Sequence, residues 1–398
     1  MTQYLTAKEA AAELGIQLPT LYAYVSRGLL HSEEASVKTR ARRYRREDVE
    51  ALKQRKEMRR DPDKAVASAL HFGAPVLESG ITLIENGRLH YRGYDAIQMA
   101  QERAFAEAAA FIWSGTFDAD ILSVTPPEIS APPGLPPVHA FQAVLPLAAA
   151  QDYIAYDLSP TAVTQTGARI LQLLTAVFTG QFNLAASQSI PRQLQQAFIP
   201  AQETVADLFN AALILCADHE LNLSAFTARC VASAGSTPYA VVNAGLSALQ
   251  GPKHGGYTER VEALFKEAAA PENASHTVAS RLRRGAEIPG FGHPLYPDGD
   301  PRAEALLRWV ETTCPESEGM QLVRKLETAV FHNLGQKPTI DFAVVALCHT
   351  LHMPPDSALA LFALGRTVGW IGHAIEQYQL DQIIRPRAHY HGPPPQKS

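Results

Sequence analysis

Apolar side chains recur with helical spacing along most of the chain beyond residue 93, and this period is the feature that most constrains the fold. It is clearest in residues 104–113, 161–178, 205–216, 241–249 and 357–378. The body of the chain is therefore predicted to be mainly α.

Two stretches depart from the helical period. Residues 80–92 alternate apolar and polar side chains on either side of Asn86-Gly87, the dipeptide most typical of a two-residue hairpin turn. Residues 123–137 hold three Pro-Pro dipeptides without strong periodicity. We expect a small β-hairpin in the first stretch and an extended surface loop in the second.

The charge of the chain is unevenly distributed. Its 398 residues are 46% hydrophobic and 19% charged, which excludes the disordered and fibrous classes. The formal charge of -5 argues against nucleic-acid binding by the chain as a whole. Residues 1–60, however, carry 13 basic and 8 acidic side chains, a net +5 against -10 for the remainder. The amino terminus is therefore predicted to be a separate, basic unit.

Cysteine spacing and the first residues bear on the compartment. The 4 cysteines are far apart, with no Cys-x-x-Cys pair, and Lys8 and Glu9 interrupt any signal-peptide pattern. These features predict a cytoplasmic protein. Long uncharged runs such as residues 230–252 carry Pro, Gly and polar side chains, so no membrane span is expected.

Two short helices are predicted in the basic unit. Thr6 and Glu9 form a capping-box pattern that begins the first helix, and Gly15 ends it. Pro19 lies at the start of the second, and Gly28 ends it. Such a pair indicates a helix-turn-helix. Its second helix would present these side chains outward: Thr20, Tyr22, Ala23, Ser26 and Arg27.

A basic run follows these helices. Residues 37–46 include six Lys or Arg, which suit phosphate contacts, although a solvated basic surface is the alternative. Segments 5–11, 20–24, 28–30 and 43–49 resemble the MerR-type winged helix-turn-helix. We take the residues that contact DNA to be Thr20, Tyr22, Arg27, Arg42, Arg43 and Arg45.

Three histidines lie in unusual local contexts. His219 stands between two acidic residues, and His254 and His293 lie in the glycine-rich segments 251–256 and 290–294. Glycine lets backbone and ligand approach closely. Taken singly, His219 has an alternative as a helix-surface residue, and the other two as loop residues bonded to backbone. Their joint occurrence favours a site.

The sequence argues against metal and nucleotide chemistry. His349 and His352 lack a nearby Glu or Cys to complete a zinc set, so we expect a buried or half-buried histidine pair on a helix and no metal. The phosphate-loop, dinucleotide-binding and nucleophile-elbow motifs are all missing from the sequence. Support for ATP hydrolysis, hydride transfer and serine esterase chemistry is therefore lost.

His, Asp and Arg remain, and they suit proton transfer and enolate chemistry on an anionic substrate. The guanidinium groups of Arg302, Arg366 and Arg385 match carboxylates. Asp341 precedes an apolar run, where it would either cap a helix or, with its pKa raised by apolar neighbours, act as a base.

From about residue 75 to 392 the chain resembles the citrate synthase family, with motifs in the family's order. These motifs are residues 89–95, 218–222, 251–256, 290–293, 300–302, 338–342, 366–370 and 385–387. The resemblance implies a mainly α, two-domain citrate synthase fold behind the small winged helix-turn-helix domain.

The resemblance also implies roles for the site residues. Asp341 would remove a methyl proton from acetyl-CoA while His254 donates a hydrogen bond to the thioester oxygen. His293 would polarise the ketone of oxaloacetate. The oxygens and carboxylates of oxaloacetate would be held by His219, Arg302, Arg366 and Arg385. Coenzyme A would enter as part of the thioester substrate, and no cofactor is expected. The CoA moiety of that substrate would lie along residues 288–296.

Domain boundaries and assembly follow from the same match. We expect a helix-turn-helix domain in residues 1–60, a linker in 61–74, a large domain in 75–255 and 353–398, and a small domain in 256–352. The small domain would close on the large one to exclude water. The family implies a homodimer in which Arg385 reaches the neighbouring subunit's site.

Three functions remain open. The first is citrate synthase. The second is 2-methylcitrate synthase, which uses propionyl-CoA, because one methylene is worth only about 1–3 kcal/mol of discrimination. Lys253, Pro294 and Ala343 depart from the family pattern, which leaves the acyl preference open. The third is a metabolite-sensing DNA-binding regulator built on the synthase fold.

Overall fold

The computed structural model describes residues 4–27, 30, 32–36, 39–46, 48–49, 52, 77–182, 188–388 and 390–395. The chain divides into two units, Met1–Glu78 and Ser79–Ser398. The predicted linker at 61–74 and the predicted helix stop at Gly28 lie outside the described residues.

The first unit includes two short helices and a small sheet among its described residues. Its elements are β1 (Tyr4–Thr6), α1 (Ala7–Glu13), α2 (Leu18–Ser26), β2 (Ser32–Ser36) and β3 (Thr39–Arg45). The strands pair antiparallel in the order β1-β3-β2, with Leu5 opposite Tyr44. Leu21 and Tyr44 are buried between helices and sheet.

Local signals set the helix boundaries in this unit. The Thr6 amide donates to Glu9 Oε2 at 2.8 Å and the Glu9 amide donates to Thr6 Oγ1 at 3.4 Å, which completes the predicted capping box. Gly15 has φ +59°, a left-handed conformation that ends the helix. Pro19 lies in the first turn of α2. The predicted helix pair is confirmed.

A small sheet opens the second unit. Strands β4 (Thr82–Glu85) and β5 (Arg88–Tyr91) form the predicted hairpin, and β6 (Tyr94–Asp95) adds a third antiparallel strand. Asn86 and Gly87 both have positive φ, +53° and +71°, as a type I′ turn requires. The hairpin prediction is confirmed, and the third strand was not predicted.

Helices make up most of the rest. They are α3 (Ala96–Glu102), α4 (Phe105–Ser114), α5 (Pro137–Ala149), α6 (Pro160–Thr179), α7 (Ile190–Phe198), α8 (Val205–Cys216), α9 (Leu223–Ala232), α10 (Pro238–Leu249), α11 (Tyr257–Ala268), α12 (Ala274–Arg283), α13 (Pro301–Thr313), α14 (Glu318–Leu334), α15 (Ile340–Thr350) and α16 (Ser357–Leu380). The mainly α prediction is confirmed. Residues 123–136 contain neither helix nor strand, as expected for the Pro-rich loop.

Helix α16 is the central element of the second unit and packs against α6, α8, α9 and α10. It is long and apolar enough to cross a membrane, with a mean hydropathy of 1.3, but that window is entirely buried inside the unit. A core helix of a soluble protein has the same properties.

Two glycines of α16 allow it to approach α8 closely. A Cβ at Gly365 would lie 2.6 Å from the Leu213 carbonyl oxygen, and one at Gly369 would clash with the Ala217 carbonyl oxygen. Because these glycines flank Arg366 along the chain, the close packing brings its guanidinium against the end of α8. Helices α11 to α15 fall in the predicted small domain, whose boundaries remain a prediction.

Candidate functional site

His219 lies in a buried turn just after α8. Neighbouring Asp218 is fully buried and accepts a hydrogen bond from Thr82 Oγ1 at 2.6 Å. Burial tends to raise the Asp218 pKa, but nearby His373, Arg366 and Thr82 outweigh it and lower that pKa. His219 is 9% exposed, and its Nε2 lies 2.9 Å from the Tyr296 hydroxyl. His219 is therefore not a helix-surface residue, which was the alternative to a role in a site.

The glycine-rich loop presents His293. Gly290 and Gly292 have φ of +89° and +75°, and backbone bonds join them to the segment before α15: Thr339 N–H to the Gly290 carbonyl at 2.8 Å, and Gly292 N–H to the Lys337 carbonyl at 2.9 Å. This pairing ties the loop of His293 to the start of the helix that carries Asp341.

His293 is held in one tautomer by its own loop. Its Nδ1 accepts the Leu295 amide hydrogen at 3.1 Å, so Nε2 carries the proton of the neutral ring. Burial, assisted by the charge of Arg302, lowers the His293 pKa. The alternative to a site role was a loop histidine bonded to backbone, and that backbone contact is present. It still leaves Nε2–H available to donate a hydrogen bond.

Arg302 is buried in a bidentate pair. Its Nε and Nη2 donate to the two Asp300 oxygens at 3.0 and 2.8 Å. Asp300 also caps α13 by accepting the Arg302 amide hydrogen, and it accepts the Ile340 amide hydrogen at 3.0 Å. One carboxylate therefore fixes both Arg302 and the first residue of α15.

Arg366 is the second buried guanidinium. Its Nε donates to the Cys216 carbonyl at 2.8 Å, and its centre lies 4.9 Å from the Phe362 ring. Its charge acts on the pKa values of His219, His254 and Asp341, which places it within the same cluster.

His254 lies in the turn before α11. Its Nε2 is 2.9 Å from Ser224 Oγ, which also accepts the Trp370 indole hydrogen at 3.2 Å. Burial, followed by the charge of Arg366, lowers the His254 pKa to about 4, so the ring is neutral near pH 7. The His254 side chain therefore contacts a hydroxyl group, and not the backbone as the alternative of a loop histidine predicts.

Asp341 is a half-buried residue in the first turn of α15, whose N-cap position belongs to Thr339. It therefore does not cap the helix. Burial raises the Asp341 pKa to about 6, against the opposing charge of Arg302. A carboxylate with this pKa is poised to take and release a proton near neutrality.

The structure brings together most of the predicted site residues. The cluster contains His219, His254, His293, Arg302, Arg366 and Asp341. Sequence reasoning assigned no role to Asp300, Ser224 or Tyr296, which bond to members of this cluster. Arg385 is exposed, and within the described part of the chain no contact joins it to the cluster.

The expected histidine pair at the end of α15 is wrong in part. His349 is half-buried on the helix, but His352 is exposed beyond the helix end, with φ +52°. The helix stops at Thr350, so the i, i+3 spacing does not place both rings on one helical face. Among the described residues, no group of three His, Cys, Asp or Glu is placed to hold a metal ion.

The first unit carries an open groove of about 1010 Å³. Tyr22 of α2 and Arg42 and Arg43 of β3 line it together with Lys8. Arg43 lies 4.1 Å above the Tyr4 ring, and exposed Arg42 donates to Ser32 Oγ at 3.1 Å. Thr20, Arg27 and Arg45 were also predicted to contact DNA: Thr20 is half-buried on α2, Arg27 is exposed at its end, and Arg45 ends β3.

Family comparisons agree with this geometry. The model for "Citrate synthase, C-terminal domain" matches residues 127–387, which is more than half of the chain. The chain belongs to the citrate synthase family. A model for a helix-turn-helix domain matches residues 4–57, so this citrate synthase family member carries a helix-turn-helix domain at its amino terminus.

Individual relatives give the same family. The chain is 39% identical over 194 residues to citrate synthase 2 of Bacillus subtilis and 33% identical over 187 residues to 2-methylcitrate synthase 1 of Corynebacterium glutamicum. These matches cover 48% and 46% of this chain and 52% and 49% of the relatives, about half of their length. The crystal structure of citrate synthase from Thermotoga maritima superposes with a TM-score of 0.68 at 26% identity, covering 81% of this chain and 94% of that one.

Proposed function

We propose that this family member condenses acetyl-CoA with oxaloacetate and hydrolyses citryl-CoA to citrate and CoA. The observation that carries the proposal is a cluster that holds a carboxylate with a raised pKa, Asp341, a half-buried neutral imidazole, His254, and two buried guanidinium groups. The first two suit enolisation of a thioester, and the guanidinium groups suit a dicarboxylate.

The proposed reaction begins with proton transfer. The Asp341 carboxylate takes a methyl proton, and the C–H electron pair moves into the thioester, whose oxygen accepts a hydrogen bond from His254. The Ser224 hydroxyl donates its hydrogen to Asn222 Oδ1 at 2.8 Å, and its oxygen lies 2.9 Å from His254 Nε2, so this contact holds the imidazole ring in place.

Carbon–carbon bond formation follows in the proposal. The enol carbon attacks the ketone of oxaloacetate, whose oxygen receives a proton from His293 Nε2. Arg302, Arg366 and His219 hold the carboxylates and oxygens. Water then breaks the thioester C–S bond and releases the CoA thiol. No step uses a cofactor or a metal ion.

Acyl preference is the finer part of the proposal. We place acetyl-CoA ahead of propionyl-CoA, although relatives with either name match the chain. Comparison of kcat/KM for the two thioesters with oxaloacetate tests this, and we expect acetyl-CoA to be favoured at least about tenfold. A preference for propionyl-CoA would assign the 2-methylcitrate reaction instead.

We propose that the enzyme is a cytoplasmic homodimer in which Arg385 completes the site of a second copy. Two hydrogen bonds anchor the segment that bears Arg385. The Gln377 side-chain amide donates to the Gln382 carbonyl at 2.8 Å, and the Ile384 backbone amide donates to Ser233 Oγ at 3.1 Å. This anchoring and the exposure of Arg385 support a role outside its own subunit.

Subunit complementation tests the dimer. Asp341→Asn and Arg385→Ala each inactivate their homodimers, but a hybrid has one site with both native groups if Arg385 acts on the other subunit. We expect refolded or co-expressed mixtures to regain roughly a quarter of wild-type activity, since about half of the random dimers are hybrids with one intact site. No recovery in verified hybrids would place Arg385 in its own subunit's site.

The first unit is proposed to bind duplex DNA. Its helix-turn-helix match and the basic groove that joins α2 to β3 support this. The finer hypothesis is a metabolite-sensing regulator, for which oxaloacetate or acetyl-CoA would have to change the DNA affinity. The condensing and DNA-binding roles are compatible.

Salt dependence tests the DNA contact. We expect the full chain to bind a labelled random-sequence duplex in about 50 mM salt, and Arg42→Ala to lower the slope of log K against log salt by about 1 through loss of one phosphate contact. Arg283→Ala, at an exposed cation of the second unit, is the matched control and should leave the slope unchanged. Equal slopes for both variants would remove Arg42 from the interface.

A further inference from the structure

Tyr296 contacts three members of the candidate site, yet the proposed reaction gives it no role. Its hydroxyl lies 2.9 Å from His219 Nε2. Its ring centroid is 5.6 Å from that of His219 and 5.2 Å from that of His293, and the Arg302 guanidinium lies 5.4 Å from its centre. The phenol therefore lies among the three groups assigned to oxaloacetate.

The backbone holds this side chain in place. The Tyr296 amide donates to the His293 carbonyl at 3.0 Å, and the Gly299 amide donates to the Tyr296 carbonyl at 3.0 Å. Tyr296 is 2% exposed, so its ring has little freedom to turn away. The tight turn that presents His293 thus also fixes the phenol against His219.

Protonation favours one direction for the hydrogen bond. Burial lowers the pKa of His219 well below its usual value, and the charges of Arg302 and Arg366 lower it further. Burial raises the Tyr296 pKa to about 12, so the phenol keeps its hydrogen. A neutral phenol donates well to the lone pair of a neutral imidazole, and that bond leaves the His219 proton on Nδ1.

We propose that Tyr296 is a positioning residue for oxaloacetate: its hydroxyl holds the His219 ring in one orientation and one tautomer, so that the ring meets the substrate already ordered. The inference rests on the proposed function, because it assigns His219 to oxaloacetate. An unrestrained ring would have to lose its freedom on binding, which weakens affinity for that substrate. The thioester side of the site is not affected.

Tyr296→Phe tests this role because it removes the hydroxyl and keeps the ring contacts. We expect the KM for oxaloacetate to rise about tenfold, as for loss of one buried hydrogen bond, while the KM for acetyl-CoA stays within about twofold. The Kd for oxaloacetate, measured by calorimetry without thioester, should rise in parallel. Tyr239→Phe is the matched control, since that buried tyrosine donates to Asp152 Oδ2 at 2.9 Å; it should leave all three constants unchanged.

Three other outcomes overturn the inference. Unchanged oxaloacetate constants would make the hydroxyl dispensable, and a lower KM would make it a competitor of the substrate. Equal rises in both KM values, with the same loss in Tyr239→Phe, would indicate general destabilisation. A wild-type chain that binds oxaloacetate without condensing it would refute the proposed reaction but not the role of Tyr296, because the calorimetric comparison needs no turnover.

Discussion

Replacement of Asp341 by asparagine is expected to lower kcat by about a thousandfold, within the range that general bases contribute. The amide keeps the size of the side chain but cannot accept the methyl proton. In the proposed reaction His254 alone cannot compensate, because a hydrogen bond to the thioester oxygen stabilises the enolate only as the proton leaves. Steady-state kinetics with acetyl-CoA and oxaloacetate measure the effect.

The same variant carries its own folding control. The Asp341 pKa is raised from 3.8 to about 6, so the ionised form is stabilised less in the folded state than in the unfolded state. The favourable contribution of the protonated form is present at low pH and is lost as pH rises through about 6. At pH 7, Asp341→Asn should therefore be at least as stable as wild type. Turnover within tenfold of wild type would exclude Asp341 as the base.

Asp300→Asn is expected to have the largest effect on stability. The change leaves the buried Arg302 charge without its carboxylate and weakens the bond to the Ile340 amide. Breaking a buried pair by removing one partner costs about 3–5 kcal/mol, so the free energy of unfolding should fall by roughly that amount. Because Asp300 orders both Arg302 and the start of α15, the KM for oxaloacetate should also rise at least about tenfold.

Chemical denaturation with a matched ion pair checks this result. Glu287 pairs with Arg260 at 2.8 Å on the surface, with side chains 54% and 44% exposed. Glu287→Gln should cost less than about 1 kcal/mol. Similar losses for the two variants would mean that burial of the Asp300–Arg302 pair has no special weight in the fold.

Local signals were sufficient to predict several elements. Thr6 and Glu9 cap α1 through bonds between residues three apart, and Asn86-Gly87 specifies its turn by backbone conformation alone. The helical period of residues 205–216 matches α8 residue for residue, because a helix with one apolar face reports its own burial.

Tertiary contacts account for what the sequence left open. Tyr296 meets His219 across 77 positions, and Asp300 meets Ile340 across 40, distances over which no periodic pattern operates. The prediction that His349 and His352 form a pair on one helix failed because α15 ends between them. Apolar periodicity does not mark the position of a helix end. The turn that brings Tyr296 back to His293 was not predicted from the sequence.

Release of the CoA thiol is the most direct test of the proposed reaction. Purified full-length chain is incubated with acetyl-CoA, with and without oxaloacetate, and free thiol is followed by a colorimetric reagent. We predict release that requires oxaloacetate, forms citrate in equal amount and is lost in Asp341→Asn. Two results would contradict the assignment of this site to citrate formation. One is thiol release that is independent of oxaloacetate, and the other is no release above background at a micromolar concentration of the protein.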